Sequence, residues 1–358
     1  MKLTSLLVSG VASLLAAWSV LAQTPPRIPF DSDMDVLKLP ADMNFGEVLG
    51  IAINSRGHIV VLNHPGSSTS GPLYGNATTQ LLEFDQTGKF VREMGHSVYG
   101  LGYAHSVRFD RYDNLWVVDK GTMSVMRFNP AGRVTMNLGR REEGPDEHHY
   151  AGRGAAPPAH VDGYFNGPTD IAWDSKDNMY ISDGYGNSRV AKLDKHGDWI
   201  KSWGSRGKEN GQFNLPHNIG VDRADNVYVA DRSNRRIQVF DSEGSWLRNI
   251  TMVAPYDKKR HPTLGNIPAN LPDEAQPWTI CITNTPTQYI YTSDENPGRI
   301  YKMGLDGKML GYLGESGHEI GQFNWTHAIA CPSENTLFVA DMNNWRIQKL
   351  TLHPEKAK

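Results

Sequence analysis

The chain has 358 residues, of which 39% are hydrophobic and 21% charged, enough to bury a core of ordinary size and too apolar for global disorder. Lysine and arginine total 36 against 39 acidic residues, so the broad positive field that nucleic-acid binding needs is absent and no nucleic-acid partner is expected. The 35 glycines, 21 prolines, 14 tyrosines and 9 tryptophans describe many short strands and turns rather than long helices.

Lys2 precedes an apolar stretch over residues 3–21, and Val20, Leu21 and Ala22 place small or branched residues where a signal peptidase cuts. Residues 1–22 therefore read as a signal peptide, with a retained membrane anchor as the alternative. No later apolar run is long enough to span a bilayer, so the mature chain is expected to be secreted or periplasmic, without a membrane span. Cys281 and Cys331 both sit in apolar, strand-like runs. That setting predicts buried free thiols, although an oxidising compartment would permit a bridge.

A single pattern then recurs: an apolar alternation, Asp-x-x-Asp-Asn, a strand ending in Asp, Asn-x-Arg and a further strand. The clearest copy runs from Phe213 to Ile250, its predecessor starts at Phe165, and others start near Phe45, Tyr103, Pro277 and Phe323. Each unit holds four period-two runs separated by turn residues. Four short antiparallel strands make one blade, and six blades over residues 45–358 predict an all-β, six-bladed β-propeller. A pair of sandwich domains is the alternative. The last unit stops after three strands, so the N-terminal segment 23–44 is expected to close it, with Val36 to Leu39 as the missing outer strand. The blade pattern resembles the NHL-repeat propellers, and its Asp and Asn-x-Arg positions read as structural, in turns and between blades.

Long insertions at 65–77, 140–163 and 253–275 are rich in Gly, Pro or charge and read as loops emerging on one face. His148, His149 and His160 fall in the second of them and read as loop residues.

Aligned at the start of the innermost strand, the six units place Leu49, His105, Thr169, His217, Trp278 and His327 at one position. Histidine occupies alternate blades, so three imidazoles can converge around the central axis. Three neutral imidazoles with an open fourth position suit a catalytic zinc, and also copper or iron(II). The residue after the Asp that ends each second strand, an Asn in the first blade, faces the same mouth: His64, Lys120, Gly184, Arg232, Glu295 and Met342, with Tyr185 one further on. A tyrosine beside a metal can serve as a general base, and an arginine can hold a carboxylate in a bidentate fork.

The runs YAHS (103–106), PTDI (168–171), SDGYGNSR (182–189), GQFNLPH (211–217), ADR (230–232) and WTH (325–327) together resemble peptidyl-α-hydroxyglycine α-amidating lyase over blades two to six. The resemblance implies zinc held by His105, His217 and His327, with Tyr185 as catalytic base and Arg232 as an active-site arginine. It also implies cleavage of the N–C bond of a C-terminal α-hydroxyglycine to a peptide amide and glyoxylate. The chain departs from the family at His64, which stands where another arginine is expected and is a candidate substrate contact. It departs again at Ala328, in place of a calcium-binding Asp, which argues against a structural Ca2+. Gly186 replaces a half-cystine. The resemblance covers no copper monooxygenase domain, so a hydroxylating monooxygenase is expected as a separate partner. A non-catalytic propeller that binds a peptide, glycan or envelope partner is the competing reading, and a calcium-dependent lactonase is a third, for which oxygen ligands would be expected where the histidines stand.

Overall fold

Each repeat unit folds into four short strands, as the period-two runs predict; the second strands are buried on both faces between neighbouring blades, while outermost strands stay half exposed. The computed structural model describes residues 25–65, 79–96, 98, 100–139, 161–254, 272, 274–294 and 298–357. Residues 1–22, the expected signal peptide, Glu295, His148, His149, His160 and most of the three insertions lie outside the described residues. Six four-stranded antiparallel sheets form the blades. Six apolar clusters fill the junctions between neighbouring blades, including the one that joins the last blade to the first. No helix among the described residues is long and apolar enough to cross a membrane.

Two side-chain devices explain the recurring polar residues. In the Asp-x-x-Asp-Asn turns the first carboxylate accepts from the chain two and four residues on: Asp174 takes the backbone N–H of Lys176 and Asn178, and Asp222 that of Ala224 and Asn226. The second Asp adopts the left-handed conformation that Asn and Asp tolerate best, with φ of 65° at Asp177 and 64° at Asp225. These turns also tie blades together, since Asp225 accepts from Ser175 of the preceding blade. The buried Asp at the end of the second strand works within its blade. Asp183 accepts from the Asn166 backbone, Asn187 and Arg189, and Asp231 does the same with Asn214, Asn234 and Arg236. Asp341 repeats the arrangement with Asn324, Asn344 and Arg346.

The ring closes differently from expectation. The outer strand of the last blade is Phe30–Asp33, paired antiparallel with Arg346–Leu352 so that Phe30 faces Leu352. Val36 to Leu39 packs instead into the apolar junction between the last and first blades, where Lys38 exchanges backbone hydrogen bonds with Gly88 and Phe90. The physical reason is burial. An outermost strand contributes mainly its backbone to the ladder, so the polar FDSD run suffices, while the apolar Val36, Leu37 and Leu39 gain more from a junction.

The cysteines also differ from expectation: Cys281 and Cys331 form a disulfide, with their Cα atoms 6.1 Å apart. Each is buried, as its apolar run implies, but they lie on the innermost strands of consecutive blades, Pro277–Ile282 and Thr326–Ser333, which converge around the axis. A bond across 50 residues of sequence restricts the unfolded chain, and replacing both cysteines by alanine is expected to lower the unfolding free energy by about 2–4 kcal/mol. Thiol titration in denaturant should find no free cysteine; two titratable thiols, or a double variant that melts like the parent, would contradict the bridge.

Candidate metal centre

The innermost strands are Glu47–Ile53, Ala104–Phe109, Pro168–Trp173, Pro216–Val221, Pro277–Ile282 and Thr326–Ser333. All six carry a register shift at the same place, between Val48 and Gly50, Ala104 and Ser106, Pro168 and Asp170, Pro216 and Ile219, Pro277 and Ile280, and Thr326 and Ala328. One extra residue is therefore inserted per blade at the ring position. A bulge takes a residue out of the ladder and re-aims its side chain and carbonyl.

Those freed carbonyls orient the histidines. The Nδ1 of His105 donates to the Thr169 carbonyl, that of His217 to Trp278 and that of His327 to Leu49, each at 2.7 Å. Every imidazole is thus hydrogen-bonded to the ring residue of the following blade. With the proton assigned to Nδ1 by these acceptors, Nε2 keeps its lone pair. Ligand nitrogens of the three imidazoles lie within 4.8 Å of one another, and the Nε2 of His217 is buried without a hydrogen-bond partner. An orphaned buried acceptor between two more imidazoles fits a divalent cation that prefers nitrogen ligands.

Burial is the main reason that all three imidazoles stay neutral. It holds His105 well below the usual histidine range, the nearness of His327 and His217 further disfavouring its protonation, and His217 likewise, with Arg232 adding. Burial pulls His327 down to about 3 against the opposing bond to Leu49, with Lys120, Arg232 and His64 contributing.

Tyr185 stands beside the cluster with its hydroxyl 3.2 Å from the Nε2 of His105. Two glycines in SDGYG make this placement possible. A Cβ on Gly184 would lie 1.8 Å from the Pro216 carbonyl oxygen, and one on Gly186 would lie 2.2 Å from the Asn166 side chain. The Arg232 guanidinium stacks on the Trp278 ring at 3.4 Å, and its backbone N–H is held by the carbonyl of Leu215, a left-handed residue at φ 63°. The Lys120 amine lies 4.2 Å from the Tyr103 ring centre and 4.4 Å from that of Tyr185. Burial, with Arg232 second, lowers the Lys120 pKa to about 8. His64 is fully buried edge-on to Tyr103, with ring centres 4.5 Å apart. Burial lowers it to about 4, with the Ala104 backbone opposing and Lys120 adding, so it brings no charge at neutral pH. Of the other residues expected at this mouth, Met342 is buried, while Glu295 lies outside the described residues. Ala328, next to His327, offers no ligand atom.

Two layers of the channel escaped the sequence reading. The carbonyls of Leu49, Thr169 and Trp278 have no side-chain signature. Below the ring, Arg108 forms a bidentate pair with the fully buried Asp170 at 3.1 and 2.6 Å and donates to the Ile280 carbonyl, while Asn218 donates to the same carboxylate.

Residues 213–240 match the NHL repeat family model. The chain carries an NHL repeat within a six-bladed β-propeller, and its sequence is similar to peptidyl-α-hydroxyglycine α-amidating lyases. A probable peptidyl-α-hydroxyglycine α-amidating lyase of Caenorhabditis elegans is 23% identical over 229 residues, covering 60% of this propeller's chain and 61% of its own. Peptidyl-α-hydroxyglycine α-amidating lyase 1 of Drosophila melanogaster is 24% identical over 346 residues, covering 88% and 59%. The chain thus spans roughly three-fifths of the length of these two relatives, and less of others it matches. Among solved structures, virginiamycin B lyase of Staphylococcus aureus superposes with a TM-score of 0.54 at 14% identity, covering 91% of this chain and all of that one. At that identity the likeness speaks for the fold alone.

Depressed imidazole pKa values carry a sign for stability. The unfolded chain binds protons at these histidines near pH 6.5 while the folded chain resists until near pH 3 at His327, so their contribution is intact above pH 6.5 and lost as the pH falls between those values. In metal-free protein at pH 5, long-range 15N–1H NMR is expected to show all three imidazoles neutral and protonated on Nδ1; titration near 6.5 would contradict the geometry.

Proposed function

We propose that this propeller is an exported, zinc-dependent carbon–nitrogen lyase that cleaves α-hydroxyglycine-like carbinolamides to an amide and glyoxylate. The observation that carries the reading is the convergence of His105, His217 and His327 with Tyr185 at hydrogen-bond distance from one of them. The two relatives named as α-amidating lyases support the reaction type. The Cys281–Cys331 bridge supports an oxidising, extracytoplasmic location.

His105, His217 and His327 would hold the metal, and zinc suits an all-imidazole set better than calcium, which prefers oxygen ligands. Copper or iron(II) are the other metals this donor set fits. Bound there, zinc would supply Lewis acidity toward a hydroxyl oxygen. As its phenolate, Tyr185 takes the carbinol hydroxyl proton as the C–N bond breaks, the carbinol carbon becomes the aldehyde of glyoxylate, and the same proton passes from Tyr185 to the departing amide nitrogen. Arg232, clamped on Trp278, holds the substrate carboxylate in a fixed direction. His64 lines the first-blade side as a neutral contact through Tyr103. The substrate implies a separate hydroxylating monooxygenase acting upstream.

Protein purified after growth with zinc is expected to contain near one equivalent per chain and to release glyoxylate from a synthetic hydroxyglycine peptide. Tyr185→Phe should keep the metal while turnover falls by about 10²-fold or more. Metal-loaded protein that releases no glyoxylate would refute the lyase reading and favour a propeller that only binds its partner.

A further inference from the structure

The channel mouth carries a second cation that the proposed chemistry does not use. Lys120 follows Asp119 at the end of the second strand of its blade, the position that Arg232 occupies two blades on. Its backbone is fixed by a hydrogen bond from its N–H to the Tyr103 carbonyl. Its ammonium is held against the rings of Tyr103 and Tyr185. Asp119, its chain neighbour, is committed elsewhere, accepting from the backbone N–H groups of Tyr103, Gly121 and Thr122. Among the described residues no carboxylate forms an ion pair with Lys120; Asp119 and Glu47 act on it only through their field.

Cation–π contact with the two rings offsets part of the cost of burying the ammonium, but among the described residues no counter-ion meets the rest of it. The position is informative too. The charges of Lys120 and Arg232 both act on His327, and that of Arg232 acts on Lys120. The first-blade position, occupied by His64, is neutral and buried.

We propose that Lys120 is a specificity-determining residue, which with Arg232, two blades on, grips a substrate carboxylate beside the three-histidine cluster. Arg232 supplies the directional fork and Lys120 a point charge on a flexible stem. The site therefore selects ligands with a free carboxylate beside an acylated nitrogen, and rejects the corresponding amides and esters. Only the identity of the substrate rests on the lyase reading; carboxylate selection does not.

The test is calorimetric binding of N-acetylglycine and N-acetylglycine amide to the metal-loaded full chain. The parent protein is expected to prefer the acid. Lys120→Gln and Lys120→Met, the second retaining an apolar stem between the two rings, should weaken acid binding tenfold or more and leave amide binding unchanged. Lys120→Arg should recover most of the preference. Equal binding of acid and amide by the parent, or an undiminished preference in folded Lys120→Gln and Lys120→Met, would overturn the proposal. A preference that depends on Lys120 in a protein releasing no glyoxylate would leave carboxylate selection standing and remove the lyase reading.

Discussion

The site depends on one repeated hydrogen bond, from the Nδ1 of each ring histidine to a backbone carbonyl in the next blade. It assigns the tautomer, sets the plane of the imidazole and leaves Nε2 directed at the axis. Its acceptors exist because every inner strand is bulged at that residue. An unbulged strand would use the same carbonyls in its ladder, and the imidazoles would lose the contact that orients them. The alternation of histidine with Leu49, Thr169 and Trp278 is thus a division of labour, in which one blade supplies the side chain and the next supplies the carbonyl.

Such an arrangement tolerates little relative movement of blades. The six apolar junctions provide that rigidity, and the Phe30–Asp33 strand, the disulfide and the Arg108–Asp170 pair reinforce it near the last blades and on the axis. The polar side chains of the mouth sit one connection further out. Tyr185, Lys120 and Arg232 follow the buried Asp residues at the ends of second strands, so the same carboxylates that brace each blade determine where the functional side chains emerge. Fold and chemistry share these residues, and a change at Asp183 or Asp231 would disturb both.

Much of this was legible from the chain alone because the repeat reports its own geometry. Once the six units were aligned, His105, His217 and His327 fell on alternate blades, and their convergence followed from the circular fold. What stayed hidden was whatever left no pattern in side chains. Backbone carbonyls and bulges have no composition signal, and the FDSD strand lacks the apolar alternation by which strands are recognised. Cys281 and Cys331 are fifty residues apart, and only the closeness of consecutive inner strands brings them together. Lys120 was visible as one of six residues at a mouth position, but its setting between Tyr103 and Tyr185 depends on three-dimensional packing.

The account rests on the claim that three Nε2 atoms share one cation. Anomalous diffraction from a zinc-grown crystal, recorded on both sides of the zinc absorption edge, tests it most directly. A single peak on the channel axis at about 2.0–2.1 Å from the Nε2 of His105, His217 and His327 is the expected result. A channel mouth without a peak, or zinc bound through Nδ1 with the carbonyl bonds broken, would contradict it.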